Sequence, residues 1–125
     1  MCEDKNIPLH ILYQKLPFAG GAVRDGMDEA TGTHTLMMAP DLETDPHSVK
    51  DFIREAKKYP EDMITGSRWI TQGNFHGYSK IKLVLNFLFQ KMFSFFYCVK
   101  LTDITFGYRI APTQLFQSIQ WEEVK

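Results

Sequence analysis

The segment Thr35-Leu36-Met37-Met38-Ala39-Pro40-Asp41-Leu42-Glu43-Thr44-Asp45-Pro46 passes from apolar residues into acids, a turn and a helix-start signal. An α/β sheet delivers carboxylates in this way to the carboxyl edge of a buried strand, where ligands bind. Carboxylates at such an edge can hold a divalent cation against the phosphates of a substrate. Asp45 has a sufficient local role as the N-cap of the next helix, with Pro46 at its first position. Gly20 and Gly21 free the backbone at a helix start. They are a candidate phosphate cradle, although no Walker-type lysine follows. His10, His34, His47 and His76 lack metal-ligand spacing, and the order of residues supports no serine–histidine–acid arrangement.

The elements that must position these residues alternate. Ile7 to Tyr13 reads as a short β-branched strand. A turn over Leu16 to Gly21 opens a helix from about Ala22 to Ala30, with Gly32 where a helix-ending glycine belongs. Thr35 to Ala39 is a second strand, followed by a helix from about His47 to Lys58. Val49, Phe52, Ile53 and Ala56 fall on one buried face of that helix. Asp62 to Gly66 is a third strand, and a long helix runs from about Ser79 to Val99. Asp103 to Ile110 forms a turn or strand, and a last helix spans Pro112 to Ser118. This order predicts a single α/β domain over 1–125, with a doubly wound, mostly parallel sheet flanked by helices.

The long helix is apolar almost all round. Its polar exceptions Lys82, Asn86, Gln90 and Ser94 recur every fourth residue and so lie along one narrow stripe. Such a helix is either a core helix with that stripe as its wet edge, or an interfacial helix against lipid or a partner.

Composition excludes several classes. The chain has 125 residues, 44% of them hydrophobic and 23% charged, which suits one soluble domain. A net charge of −1 argues against nucleic acid as a partner. Two cysteines make no disulfide framework, so a reducing compartment is expected. No signal peptide or transmembrane run is visible, which points to a cytoplasmic location.

Taken in order, Gly20-Gly21-Ala22-Val23, Gly26, Ala30-Thr31-Gly32, Met38-Ala39-Pro40-Asp41-Leu42, Asp45-Pro46, Gly66-Ser67-Arg68 and Asp103-Ile104-Thr105-Phe106-Gly107-Tyr108-Arg109 resemble the family 2 glycosyltransferases. The likeness is to their polyprenyl-phosphate branch, of the dolichyl-phosphate mannose synthase type, and it covers roughly residues 7 to 118. It implies a GT-A fold of the nucleotide-diphospho-sugar transferase type. The implied activity is hexose transfer from a nucleotide-sugar donor to a polyprenyl or dolichyl phosphate acceptor at a membrane surface.

By this resemblance Asp41 matches the second acid of the family's D-x-D motif, and Glu43 stands where a further metal-shell group is found. The implied cofactor is Mg2+ or Mn2+, weakened because Ala39 occupies the position of the first acid. Arg68 matches the arginine of G-S-R, whose planar fork suits a donor phosphate. Lys82 stands where the family carries a second phosphate-contacting arginine, and Asn86 where it carries a serine. Asp103 and Arg109 belong to a motif that either contacts the acceptor or pairs internally to fix a loop. The family's opening strands have no counterpart before Ile7, so the resemblance implies a partial domain lacking its first strands, with low solubility from the exposed sheet edge. The other reading is a remnant or partner subunit that keeps the fold without binding nucleotide.

Overall fold

A computed structural model of the chain describes residues 8–39, 44–69, 79–98 and 102–121. Four α-helices and three strands alternate there: α1 Phe18–Asp28, β1 His34–Met37, α2 Val49–Lys58, β2 Ile64–Thr65, α3 Lys80–Phe96, β3 Arg109–Pro112 and α4 Thr113–Gln117. They fall into two compact units, one of residues 1–35 and 112–125 and the other of residues 36–111.

In the first unit, α1 starts four residues earlier than the glycine pair predicts (Phe18 against Ala22) because the segment before it is tied back onto the helix. The Asp25 carboxylate accepts the Lys15 N–H at 2.6 Å and the Leu16 N–H at 3.1 Å. The Gln14 amide donates to the carbonyls of Leu16 and, at 2.8 Å, of Phe18. Helices α1 and α4 exchange C-terminal caps, satisfying carbonyls that a helix end leaves orphaned. Gln117 donates to the carbonyls of Met27 at 2.8 Å and Ala30 at 3.3 Å, and Arg24 donates to those of Gln117 at 3.0 Å and Ile119 at 3.3 Å.

The second unit is built on α2. Asp45 accepts the His47 N–H at 2.9 Å and Pro46 opens a short 3₁₀ turn, Pro46–Ser48, so the cap expected at this helix start is present. Phe52 and Ala56 are buried against Tyr108 and Ile110, with Leu36, Val49, Ile64 and Phe106 packed around them. The Phe52 and Tyr108 rings lie 4.4 Å apart, a tilted aromatic pair that adds to the area it buries. Ile53, expected on this face, is exposed instead.

The strand order is β1-β3-β2, with β2 antiparallel to β3 and Ile64 opposite Ile110. The mostly parallel, doubly wound sheet expected from the sequence is therefore not what the described strands form. The strand expected over Ile7 to Tyr13 is not formed by residues 8–13 either, and Leu9, Ile11 and Tyr13 lie exposed. A β-branched run fits a pleated, half-buried surface; without a surface to cover it has no reason to be a strand.

Helix α3 reverses the core-helix expectation. Ser79 caps it by accepting the Lys82 N–H at 3.3 Å. Within the described part of α3 the one fully buried residue is Gln90, and Asn86 and Ser94 on the same stripe are half-buried. Ile81, Val84, Leu85, Leu88, Met92, Phe95 and Phe96 are exposed. The polar stripe faces inward and the apolar surface faces out. No described helix is long and apolar enough to cross a membrane.

Candidate functional site

Arg68 and Asp103 are thirty-five residues apart in sequence and form one buried ion pair. Their side chains are 8% and 0% exposed, and the guanidinium approaches by two edges: Nε to Oδ2 at 2.8 Å and Nη2 to Oδ1 at 3.0 Å. The backbone N–H of Arg68 adds a third bond to Oδ2 at 3.2 Å. Such a fork on a carboxylate is the geometry that makes arginine more than a point charge.

Further side chains join the cluster. Thr105 Oγ1 accepts from Arg68 Nη2 at 2.8 Å and from Gln90 Nε2 at 3.1 Å, and donates to Asp103 Oδ1 at 3.2 Å. Gln90 Nε2 also donates to Asp103 Oδ1 at 3.1 Å and to Asn86 Oδ1 at 3.4 Å. Its Oε1 accepts the Ile104 N–H at 2.7 Å. Phe106 closes one side, with its ring centroid 5.0 Å from the Arg68 guanidinium carbon. Burial pushes the Asp103 carboxyl up, but the Arg68 hydrogen bonds outweigh it, and the carboxyl stays below the ordinary aspartate value. The group is an anion held by donors converging on both its oxygens.

The backbone is shaped for this cluster at Gly66. Its N–H donates to the Tyr108 carbonyl at 2.9 Å. A Cβ at Gly66 would lie 3.0 Å and 3.2 Å from two Phe106 ring carbons and 3.3 Å from Phe52 Cζ. Glycine is needed there for close approach, which lets Ser67 and Arg68 leave the strand beneath the Phe106 ring.

The other candidates are placed as follows. Asp103 does not pair with Arg109. Arg109 fixes the same loop differently, donating to the carbonyls of Phe106 at 3.0 Å and Ile104 at 2.6 Å. Lys82 is exposed on the stripe that carries Asn86 and Gln90. Gly20 and Gly21 are buried inside α1, in the unit of residues 1–35 and 112–125. A Cβ on Gly21 would meet the Leu16 backbone at 2.6 Å, so this glycine admits the preceding segment of its own chain. Asp41 and Glu43 lie outside the described residues. On either side of them, Thr44 Oγ1 donates to the Ala39 carbonyl at 3.1 Å. Among the described residues no cluster of His, Cys, Asp or Glu could hold a metal ion.

Sequence reasoning missed Gln90, which was only one member of a polar stripe. Its signal was there: a polar residue in the middle of a helix with few polar residues, one turn after Asn86. Reading that stripe as solvated concealed it.

Residues 3–119 match the family model of glycosyl transferase family 2, and the chain belongs to that family. The membership implies a GT-A fold and glycosyltransferase activity, with a nucleotide-sugar donor and an acceptor as the family's general ligands.

Proposed function

We propose that this family 2 glycosyltransferase chain serves hexose transfer from a nucleotide sugar to a polyprenyl-type lipid phosphate at a membrane surface. The observation that carries the reading is α3. Its inward stripe meets the Arg68–Asp103 cluster and its outward face is apolar, so one helix joins a polyanion-directed site to a surface suited to lipid.

The chemistry asks little of a base, because a lipid phosphate is already ionised near neutral pH and its oxygen can attack the sugar carbon directly. The difficult species is the departing nucleoside diphosphate, on which negative charge develops, and preorganised cationic donors are the remedy. Lys82 is the exposed cation on the stripe, and Asn86 beside it offers an amide donor. Arg68, held by Asp103, contributes through the loop it fixes. Arg109 holds the Ile104–Phe106 turn from the other side. Asp41 and Glu43 are the residues that would hold Mg2+ or Mn2+, a hard cation suited to oxygen ligands. Ala39 supplies no carboxylate to that set. When bound, the cation would neutralise charge on the donor diphosphate.

Ala39 also favours a second reading, a family member that keeps the fold without turning over. A thermal-shift titration with nucleoside diphosphates and nucleotide sugars, with and without Mn2+, separates the two. At ligand one hundred times above Kd the stabilisation is about 2.7 kcal/mol. A flat response to every nucleotide refutes the transferase reading, and nucleotide-dependent transfer of labelled sugar to polyprenyl phosphate in detergent confirms it.

A further inference from the structure

The Gln90 side chain makes the connection between α3 and the motif loop, and its amide is used in full. The Ile104 N–H can be met only by an acceptor and the Asp103 carboxylate only by a donor, so Oε1 faces the former and Nε2 the latter. The two Nε2 hydrogens are shared among Asp103, Thr105 and Asn86. Thr105 in turn has its donor and both acceptor positions occupied. A fully satisfied buried network admits one arrangement, and its members specify one another's positions.

We propose that Gln90 is a positioning residue: its amide sets the rotation of α3 about its own axis together with the conformation of the Asp103–Thr105 turn. Asn86 and Lys82 lie one and two turns upstream on the same stripe, so this rotation decides that they share the side of α3 that meets Arg68 and Asp103. Apolar packing does not supply that choice, because most of the apolar side chains of α3 are exposed and are indifferent to the rotation. What the positioning serves rests on the phosphate reading of Lys82 and Asn86; the positioning itself does not.

Trp69 reports it. Its ring meets Phe87 of α3 edge-on, with centroids 5.7 Å apart. The chain has two tryptophans, so a Trp121→Phe background leaves Trp69 as the only one. In that background Q90L, Q90N and Q90E are compared by near-ultraviolet circular dichroism and Trp69 emission between pH 8 and pH 5. Q90L leaves the Ile104 N–H and the Asp103 carboxylate short of partners, and a melting-temperature loss of about 4–12 °C is expected. Q90N is one methylene too short to span both groups and shows an altered Trp69 signal.

Q90E is the decisive variant. Among the described residues the charged groups facing the introduced carboxyl are Asp103 and Arg68; Asn86, Thr105 and the Ile104 N–H are neutral, and on α3 itself Lys82 and Lys91 are exposed. At pH 8 the new carboxylate opposes Asp103 and the parental Trp69 signal is lost. As pH falls it takes up a proton, becomes a donor and acceptor like the amide, and the parental signal returns. If Q90E is unfolded at pH 8, its melting temperature relative to the parent rises as pH falls, with the same meaning. A Q90L or Q90E protein with the parental Trp69 signal at pH 8, or a Q90E signal that stays altered at pH 5, overturns the proposal. Inorganic pyrophosphate added to the parental protein tests the separate phosphate reading. Absence of binding there, with the Q90E recovery intact, refutes that reading and leaves Gln90 as the positioning residue.

Discussion

Asp103→Ala removes one half of a buried ion pair, and its cost can be worked from the contacts. The carboxylate accepts from Arg68 Nε, Nη2 and N–H, from Gln90 and from Thr105. Truncation leaves a guanidinium that is 8% exposed without its counter-charge. Breaking a buried pair from one side costs about 3–5 kcal/mol, chiefly because the remaining charge stays desolvated. For a chain of this size that is on the order of 10–20 °C of melting temperature, a large fraction of a typical total stability. Asp103→Asn keeps the shape and some of the hydrogen bonds, and so costs less. The double variant Arg68→Met with Asp103→Leu removes both charges and recovers most of the loss. The pH dependence has a definite sign. The folded carboxyl titrates below its unfolded value, so its stabilisation is present above about pH 4 and is lost as pH falls through the lowered folded pKa. Asp103→Asn should therefore show a shallower loss of stability in acid than the parent. Urea unfolding followed by Trp69 emission in the Trp121→Phe background measures the parent, these variants and the single changes Arg68→Met and Asp103→Leu. A double variant as unstable as the sum of its singles, or an Asp103→Ala cost below about 1 kcal/mol, refutes the reasoning.

Gly66→Ala places a methyl against Phe106 and Phe52 and should cost about 1–3 kcal/mol by overpacking, measured by thermal melting. Cys98 ends α3 in the left-handed region at φ 52°, so Cys98→Gly should raise the melting temperature through about 1 kcal/mol of relieved strain. Tyr108→Phe loses a 3.2 Å bond to the Asp45 carbonyl, worth about 0.5–1.5 kcal/mol. Burial first, then the Asp45 charge, raises the Tyr108 pKa, so its stabilisation is complete below the unfolded value near pH 10 and fades above it; the phenylalanine variant should lose less in alkali. Leu88→Asp with Phe95→Asp places charges on the exposed face of α3. The pair should abolish co-sedimentation with anionic vesicles and raise solubility, with thermal stability nearly unchanged.

What the sequence made legible was local. The Asp45-Pro46 start of α2 and its buried Phe52 and Ala56 could be read directly, because caps and periodicity act over a single turn. The membership of glycosyl transferase family 2 was legible from ordered motifs, and it is shared by almost the whole chain. Pairing across distance was not legible. Arg68 pairs with the buried Asp103 rather than with a surface acid, and Asp103 with Arg68 rather than Arg109, because burial selects partners that spacing alone does not reveal. The residues of Ile7–Tyr13 have the composition of a strand, but the described part of that segment covers no surface and is none.

The same limit explains α3. A period of four residues locates a polar stripe and an apolar remainder; it carries no sign saying which of them faces the protein. Burial energetics usually supply that sign, since apolar area leaving water is the dominant gain. Here the sign is opposite, because Asp103 and the Ile104 N–H demand polar partners and Gln90 is the residue that satisfies both. An inward polar face of this kind contributes orientation more than binding energy. It also leaves the apolar side of α3 in contact with water, a cost that a second surface can remove. The described side chains of α3 include Lys82 and Lys91 and no acid, the combination on which the proposed lipid-surface reading rests. The polar requirement of the motif loop and the exposed apolar outer face are thus two consequences of one placement: turning Gln90 inward is what turns Leu85, Leu88, Met92 and Phe95 outward.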